Sequence, residues 1–394
     1  MIAFDAALAI VVAEAKPLAA EAVALGAALG RVLAEPCVAQ VDAPRSDISV
    51  MDGYALRDAD LALGAPFRVI GAAYPGTAFD GVVQSRACVR LFTGAPLPQG
   101  ADRVVVQEDV ARDGDTMRVV GTLSGKRYIR PHGSDFRMGD VLLPRGTMLG
   151  PRALVAAAGA DVATLAVWRR PRLSVISTGD ELAEPGHARE RTGSIPESAS
   201  YGAAALGEGW GAQMIGRYRL RDDIAELTAG ATRALAEADV VVVTGGASVG
   251  EKDYAKQIFV SLGTELLFSR IAIMPGKPVW FGRRGEQLVL GLPGNPSSAM
   301  VTARLFLTTL LAGLSGRAPS AALRWRSATL TAPLDAVSAR ETFVRARCDG
   351  EGVAPLANQD SGLQRALAEA DVLIRRLPHA AAAPAGSTVS VIDF

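Results

Sequence analysis

Three short segments of this chain put glycine, hydroxyl and carboxylate groups side by side. They are Ser177-Thr178-Gly179-Asp180-Glu181, Thr244-Gly245-Gly246-Ala247-Ser248-Val249-Gly250 and Gly291-Leu292-Pro293-Gly294-Asn295-Pro296-Ser297-Ser298. Glycine lets a backbone approach a ligand closely and turn its N–H groups toward it. A helix N-terminus adds unpaired donors and a partial positive charge. Such segments suit an anion, phosphate above all. One loop of this kind is weak evidence, because Gly-Gly after a strand is as often a plain turn. Asn295 or Ser297 would also suit an N-cap. Three such loops are harder to dismiss. Neither a Gly-x-x-x-x-Gly-Lys-[Ser/Thr] P-loop nor a Gly-x-Gly-x-x-Gly run is present.

Carboxylates gather around the loops: Asp180 and Glu181 in the first, Glu251 and Asp253 after the second. A hard divalent cation such as Mg²⁺ prefers oxygen ligands and commonly bridges carboxylate and phosphate. Glu251 reads better as an acid favouring the start of the next helix. Asp222 and Asp223 each fit either an N-cap or a ligand. Lysines are few, and Lys277 stands in Pro275-Gly276-Lys277-Pro278, where two prolines fix the backbone. A cation held there suits an anion as a point charge, or is a plain exposed loop lysine.

The loops follow apolar runs with strand character. From Pro171 onward, strands at Arg172–Ser177, Gln213–Arg219, Val240–Thr244, Leu266–Phe268, Val279–Phe281 and Gln287–Leu290 are interleaved with helices. The helices are expected near Tyr201–Leu206, Asp223–Ala236, Tyr254–Leu262 and Pro296–Leu314. This alternation predicts a doubly wound, three-layer α/β/α domain over residues 171–315. Ligands of such sheets bind outside the carboxyl ends of the strands, where all three loops would lie. Upstream, residues 45–139 hold short strands between Gly and Pro signals and predict an inserted β-rich domain. Two helices are expected in Phe4–Ala34, broken at Pro17, and a short one at Arg152–Gly159 before a strand at Thr164–Trp168. Residues 1–44 and 140–170 are grouped as an elongated N-terminal domain. Residues 316–394 return to short strands and predict a small β-barrel.

The chain has 394 residues, enough for roughly two to four domains. Its 49% hydrophobic and 21% charged residues make it globular. Its 41 basic and 41 acidic residues cancel, so no overall field attracts nucleic acid or an anionic membrane. Cys37, Cys88 and Cys348 fit no zinc spacing, and His132, His187 and His379 are equally scattered. A reducing cytoplasm fits this usage. Met1–Lys16 lacks a basic region before its apolar stretch and is not read as a signal peptide. No membrane span is expected.

These loops, in this order, resemble the molybdopterin molybdenumtransferase family, whose animal relative is the E domain of gephyrin. Ser49-Val50-Met51-Asp52-Gly53-Tyr54-Ala55 is similar to the family's Ser-x-Met-Asp-Gly-Tyr-Ala signature. Phe92-Thr93-Gly94-Ala95-Pro96-Leu97-Pro98 with Gly100-Ala101-Asp102 resembles the next, ending in Val106-Gln107-Glu108. Arg130 with Gly133-Ser134-Asp135 is similar to an Arg-x-x-Gly-Glu-Asp segment. Pro275–Pro278 and Ser361-Gly362 complete the series, which runs from about residue 25 to the C-terminus.

The resemblance implies a homodimer in which the inserted domain of one subunit faces the α/β domain of the other. It implies hydrolysis of adenylated molybdopterin in a Mg²⁺-dependent step, with molybdate as the metal source and AMP and molybdenum cofactor as products. The catalytic set carried over is Asp52, Thr93, Asp135, Glu181, Asp222 and Asp253, with Glu181 and Asp253 on the metal. Substrate contacts would come from Thr178, Gly179, Gly245, Gly246, Ser248, Arg270, Lys277, Pro293, Gly294, Asn295 and Ser361. A molybdopterin adenylyltransferase upstream and apo-molybdoenzymes downstream are the implied partners. Four positions depart from the family's pattern. Pro196-Glu197-Ser198-Ala199 stands where an Asp-x-Asn ending is usual, Met274 and Arg270 where lysines are common, and Ala370-Asp371 where Ala-Asn is usual. Met274 brings no charge to an anion. A non-catalytic molybdopterin carrier and an interaction scaffold are the competing readings.

Overall fold

The computed structural model describes residues 1–245 and 254–394. Its centre is a six-stranded sheet in the order Gln213–Leu220, Arg172–Thr178, Val240–Thr244, Gln287–Leu292, Trp280–Arg284, Glu265–Ser269. The first four strands are parallel, and Trp280–Arg284 alone runs antiparallel to both of its neighbours. The edge reversal has a local cause. Only Gly285 and Glu286 separate Trp280–Arg284 from Gln287–Leu292, far too few for a crossover to a parallel neighbour. Gly285 takes φ +59° to make that turn.

Alternate residues of the sheet serve two cores. Val175, Val240, Val242 and Leu290 meet the helices Ala199–Gly209 and Pro296–Leu314 on one face. Ile176, Val241, Val243 and Val289 meet Ile224–Glu237 and Tyr254–Ser261 on the other. A strand buried on both faces must be apolar at every position, which is why Val240–Thr244 is a run of valines. The Pro296–Leu314 helix passes through a π turn at Ala303–Leu307. By length and composition it could cross a membrane, but 94% of its apolar window is buried inside the protein.

The β-rich unit is a sheet in the order Arg103–Val106, Gly53–Leu56, Ala87–Leu91, Pro66–Ala73, Thr116–Val119, Val110–Asp113. Its pleat sends Ala55, Val89 and Val104 to one core and Tyr54, Leu56 and Cys88 to the other. Beside it, Ala20–Ala24 pairs with Thr164–Trp168, and Cys37–Val38 with Val141–Leu143. Here the expected second helix is corrected. Residues after Pro17 form a strand and one 3-10 turn, Leu25–Ala27. Five cross-strand partners outweigh the modest helix propensity of an alanine-rich segment. Helix Phe4–Glu14, grouped above with the elongated unit, packs instead on the α/β core. The Phe4 ring lies 5.6 Å from Phe306 and 5.0 Å from Phe343.

The C-terminal strands pair in the order Glu341–Asp349, Val372–Arg376, Thr388–Asp393, Arg326–Thr329. Gly352–Pro355 flanks the first of them. A bridge joins Leu330 to Val353. Ile273–Met274 leaves the α/β unit to pair with Glu341 and Thr342. That pairing ties the following Pro275–Pro278 loop to both units.

Candidate functional site

Three adjacent parallel strands end together, at Thr178, Thr244 and Leu292. Ser177 is opposite Thr244, and Thr244 opposite Leu292. The first and third glycine loops and the start of the second therefore open on one sheet edge. Gly246, Ser248 and Asp253 lie outside the described residues. The loops touch backbone to backbone. Gly245 has φ +88°, and a Cβ there would stand 2.5 Å from the Thr178 carbonyl oxygen. A Cβ on Gly294 would come within 3.4 Å of the Gly245 α-carbon. At Gly245 only glycine fits this stack, whereas a Cβ on Gly294 would make an ordinary contact.

The edge opens into a crevice of about 780 Å³ that includes Thr178, Gly179, Glu181, Asp222, Gly245, Pro293, Gly294 and Asn295 in its lining. Eight of the expected residues thus meet in one place. Thr178 is buried, and among the described residues its hydroxyl has no hydrogen-bond partner. The acidic pair is separated by role. Asp223 is the N-cap, accepting from the Glu226 N–H at 2.8 Å, whereas Asp222 lines the crevice and donates its N–H to the Asp180 carboxylate at 3.2 Å.

Asn295 sits at the N-cap position of the long helix but does not cap it with its side chain. Its amide donates instead to the Ser361 hydroxyl at 2.9 Å. That bond links the crevice to a second cavity of about 930 Å³ between the α/β unit and the C-terminal strands. The two share Pro278, Pro293 and Asn295. Lys277, Ser361, Arg340 and Arg376 line the second cavity. Arg340 donates to the Met274 sulfur at 3.6 Å, so a guanidinium stands beside the uncharged methionine.

Sequence reasoning passed over Arg340, Arg345 and Arg376. Arg345 is fully buried, donating to Ser297 Oγ at 2.6 Å and to the Asp360 carbonyl at 2.9 Å. Burial holds its pKa below the usual arginine value. Its Nε and Nη1 of Arg376 have no partner among the described residues. No sequence pattern singled out Arg345, whose strand Glu341–Asp349 is buried at each of its first six positions. Glu197 and Ser198, in the segment that departs from the family's pattern, also line the crevice. Glu197 is buried and accepts from the Ser200 N–H at 2.8 Å.

The remaining expected residues stand elsewhere in the chain. Asp52 accepts from Thr93 twice, from its N–H at 2.7 Å and its hydroxyl at 2.8 Å. Those bonds, the backbone one first, hold the carboxyl below the usual aspartate range. Asp135 is exposed and pairs its N–H with the Ala43 carbonyl at 2.9 Å. These three belong to the β-rich part and line neither cavity. Arg270, at φ +153°, follows the edge strand Glu265–Ser269, is exposed, and also lines neither.

Residues 2–160 match the MoeA N-terminal region (domain I and II). Residues 174–313 match the domain described as "Probable molybdopterin binding domain", and 327–394 the MoeA C-terminal region (domain IV). A molybdopterin molybdenumtransferase of Haemophilus influenzae is 35% identical over 302 residues, 76% of this chain and 74% of that one. One from Staphylococcus aureus strain Mu50 is 32% identical over 94% of this chain and 90% of that one. The chain belongs to the molybdopterin molybdenumtransferase family. The crystal structure of a molybdopterin biosynthesis MoeA protein from Pyrococcus horikoshii superposes with a TM-score of 0.85, at 27% identity over 99% of this chain and 98% of that one.

Proposed function

We propose that the chain is a transferase that inserts molybdenum from molybdate into adenylated molybdopterin, releasing AMP and molybdenum cofactor. One observation carries this: the crevice built from three strand-end loops runs on, past Pro278, Pro293 and Asn295, into the cavity holding Lys277 and Ser361. The first space suits the phosphates, gripped by backbone amides near Thr178, Gly245 and Gly294. The second suits an oxyanion such as molybdate, met by a lysine, a hydroxyl and the Arg340 guanidinium.

Among the described residues no group of three His, Cys, Asp or Glu side chains forms a metal cage. The donors at the crevice are nonetheless carboxylate oxygens, the kind Mg²⁺ takes when a substrate's phosphates complete its shell. Glu181 and Asp253 would hold it, and it would neutralise charge developing on the departing AMP. Glu181 folds back over Gly179, which aims its carboxylate at the phosphate grip and leaves it able to orient a water.

The working unit in this reading is a homodimer. Asp52, Thr93 and Asp135 of one copy complete the crevice of the other, as their absence from the crevice of their own chain supports. The four units follow the sequence reading except that helix Phe4–Glu14 joins the α/β core, with the C-terminal strands as a small barrel, a reading supported by the Leu330–Val353 bridge. A cytoplasmic setting follows, with a molybdopterin adenylyltransferase supplying substrate and apo-molybdoenzymes taking the product. Met274 and Ala199 favour a carrier without turnover, but Arg340 beside Met274 keeps a cation in that corner. The test incubates protein with adenylated molybdopterin, Mg²⁺ and molybdate. AMP should appear together with cofactor that activates an apo-molybdoenzyme, whereas tight pterin binding without AMP would establish the carrier.

A further inference from the structure

A small two-strand flap lines the crevice, with Leu182–Ala183 paired in parallel with Ile195–Pro196. Glu181 leads into its first strand, and Glu197 follows its second. The Glu181 carbonyl accepts from the Ile195 N–H at 2.9 Å, and the Ala183 carbonyl from the Glu197 N–H at 2.8 Å. So short a pair is marginal by itself and needs an outside brace. The edge strand Gln213–Leu220 supplies one. Its Tyr218 and Leu220 pack on the core beside Ile224–Glu237, which turns Arg217 and Arg219 to the opposite face. Arg219 donates to the Leu182 carbonyl at 3.0 Å. Arg217 reaches both ends of the flap. Its Nη2 donates to Glu184 at 3.2 Å and to the Tyr201 hydroxyl at 2.9 Å. Its Nη1 donates to Glu197 at 3.4 Å and to Ser200 Oγ at 3.2 Å. The guanidinium also lies 3.8 Å from the centre of the Tyr201 ring.

We propose that Arg217 is a positioning residue, a clamp that fixes the flap and, through the Ile195–Glu181 backbone bond, the reach of the Glu181 carboxylate. The inference rests on the transferase reading above, in which Glu181 faces the phosphate. An exposed ion pair would contribute little. This one is different, because the Glu197 side chain is only 2% exposed and that of Arg217 26%. A carboxylate that deep loses much when its cation is removed. A planar, forked guanidinium spans two carboxylates where an ammonium would hold one. The Tyr201 hydroxyl first, with Arg217, holds the Glu184 carboxyl below the usual glutamate range. The clamp also stands where the chain departs from the family's pattern. Ala199 has no amide to offer there, and the nearby Glu197 is bound to Ser200 and Arg217.

The test joins two measurements on the full chain: hydrogen exchange over residues 181–199, read by mass spectrometry, and AMP release from adenylated molybdopterin. Arg217→Met removes the clamp. Glu184→Gln cuts only the arm that is 40% exposed and leaves the buried Glu197 paired. In Arg217→Met the flap should exchange roughly tenfold faster, the loss expected of a charge-assisted bond. Its kcat should fall at least about tenfold, within the ~100-fold that a misplaced reacting group costs, with KM held. Glu184→Gln should move both in the same direction by less, and should add nothing to Arg217→Met. Arg217→Lys should recover part of kcat. Unchanged flap exchange in Arg217→Met, or faster exchange with wild-type kcat, would overturn the clamp and leave the transferase reading standing. Should Arg217→Met also loosen the central strand Val240–Thr244, Glu184→Gln decides alone, and wild-type exchange and kcat there would overturn the clamp. A wild type that releases no AMP would sink the transferase reading and this inference with it.

Discussion

Replacing Gly245 by alanine tests whether the glycine stack at the sheet edge is functional. Two costs follow from the structure. At φ +88° an L-residue pays about 1–2 kcal/mol of backbone strain. The new methyl would also stand 2.5 Å from the Thr178 carbonyl oxygen, where ordinary contact begins at 3.4 Å, so the two loops must part by about 1 Å. A displacement of about 1 Å at reacting groups costs on the order of 100-fold in rate. The expectation is therefore a modest loss of stability, about 2 kcal/mol and about 4–8 °C in Tm, with a roughly 100-fold fall in kcat/KM for AMP release. Calorimetry and single-turnover AMP release would read the two effects. Gly209→Ala is the control, with nothing within 4 Å of its Cβ, and should leave both unchanged. Wild-type turnover and Tm in Gly245→Ala would refute the reasoning.

Arg345→Met should lower Tm, since the Ser297 Oγ and the Asp360 carbonyl lose their donor. It should raise the molybdate concentration needed for turnover by loosening Ser297 and the Asp360–Ser361 turn; a lowered Tm with unchanged molybdate dependence would contradict this. Asp239→Asn should cost about 2 kcal/mol in chemical denaturation. Burial works against ionising Asp239, but Arg169 at 2.6 Å and the Arg172 N–H at 2.7 Å outweigh it and hold its pKa low, so an unmoved midpoint would count against that brace. For Asp52 the folded pKa lies below the usual value, so its contribution is complete above the ordinary aspartate range and fades as pH falls through the lowered value. An NMR titration should find that low value in the wild type and a higher one in Thr93→Val, which loses one of the two donors. An Asp52 titrating at the ordinary value in the wild type would show that the Thr93 bonds do not hold in solution.

Much of the α/β unit could be read from the chain because burial on both faces leaves a strong trace. Val240–Thr244 reads as a central strand from its composition alone. The reversal at the sheet edge was also legible in principle, in the two-residue Gly285-Glu286 connection. What misled was the segment after Pro17. Its alanines favour helix locally, but Thr164–Trp168, some 140 residues away, recruits it as a strand. Gly53–Leu56 was missed as a strand for a related reason. The Asp52-Gly53 pair signals a turn, yet Gly53 opens the strand, and a Cβ there would strike the Val105 carbonyl oxygen at 2.1 Å. In the site, glycine and carboxylate positions showed through because few residues can replace them. Arg345, in the strand Glu341–Asp349, and Arg340, just before it, did not, since an isolated arginine reads as a solvated residue until the partner unit closes over it.

The central claim is that strand-end loops grip the phosphates of a pterin nucleotide. A crystal structure with adenylated molybdopterin, Mg²⁺ and no molybdate tests it most directly. Phosphate density should lie against the backbone amides at Thr178–Gly179, Gly245 and Gly294, with Glu181 facing it. Phosphates bound on any other surface, with that crevice left to solvent, would contradict the account.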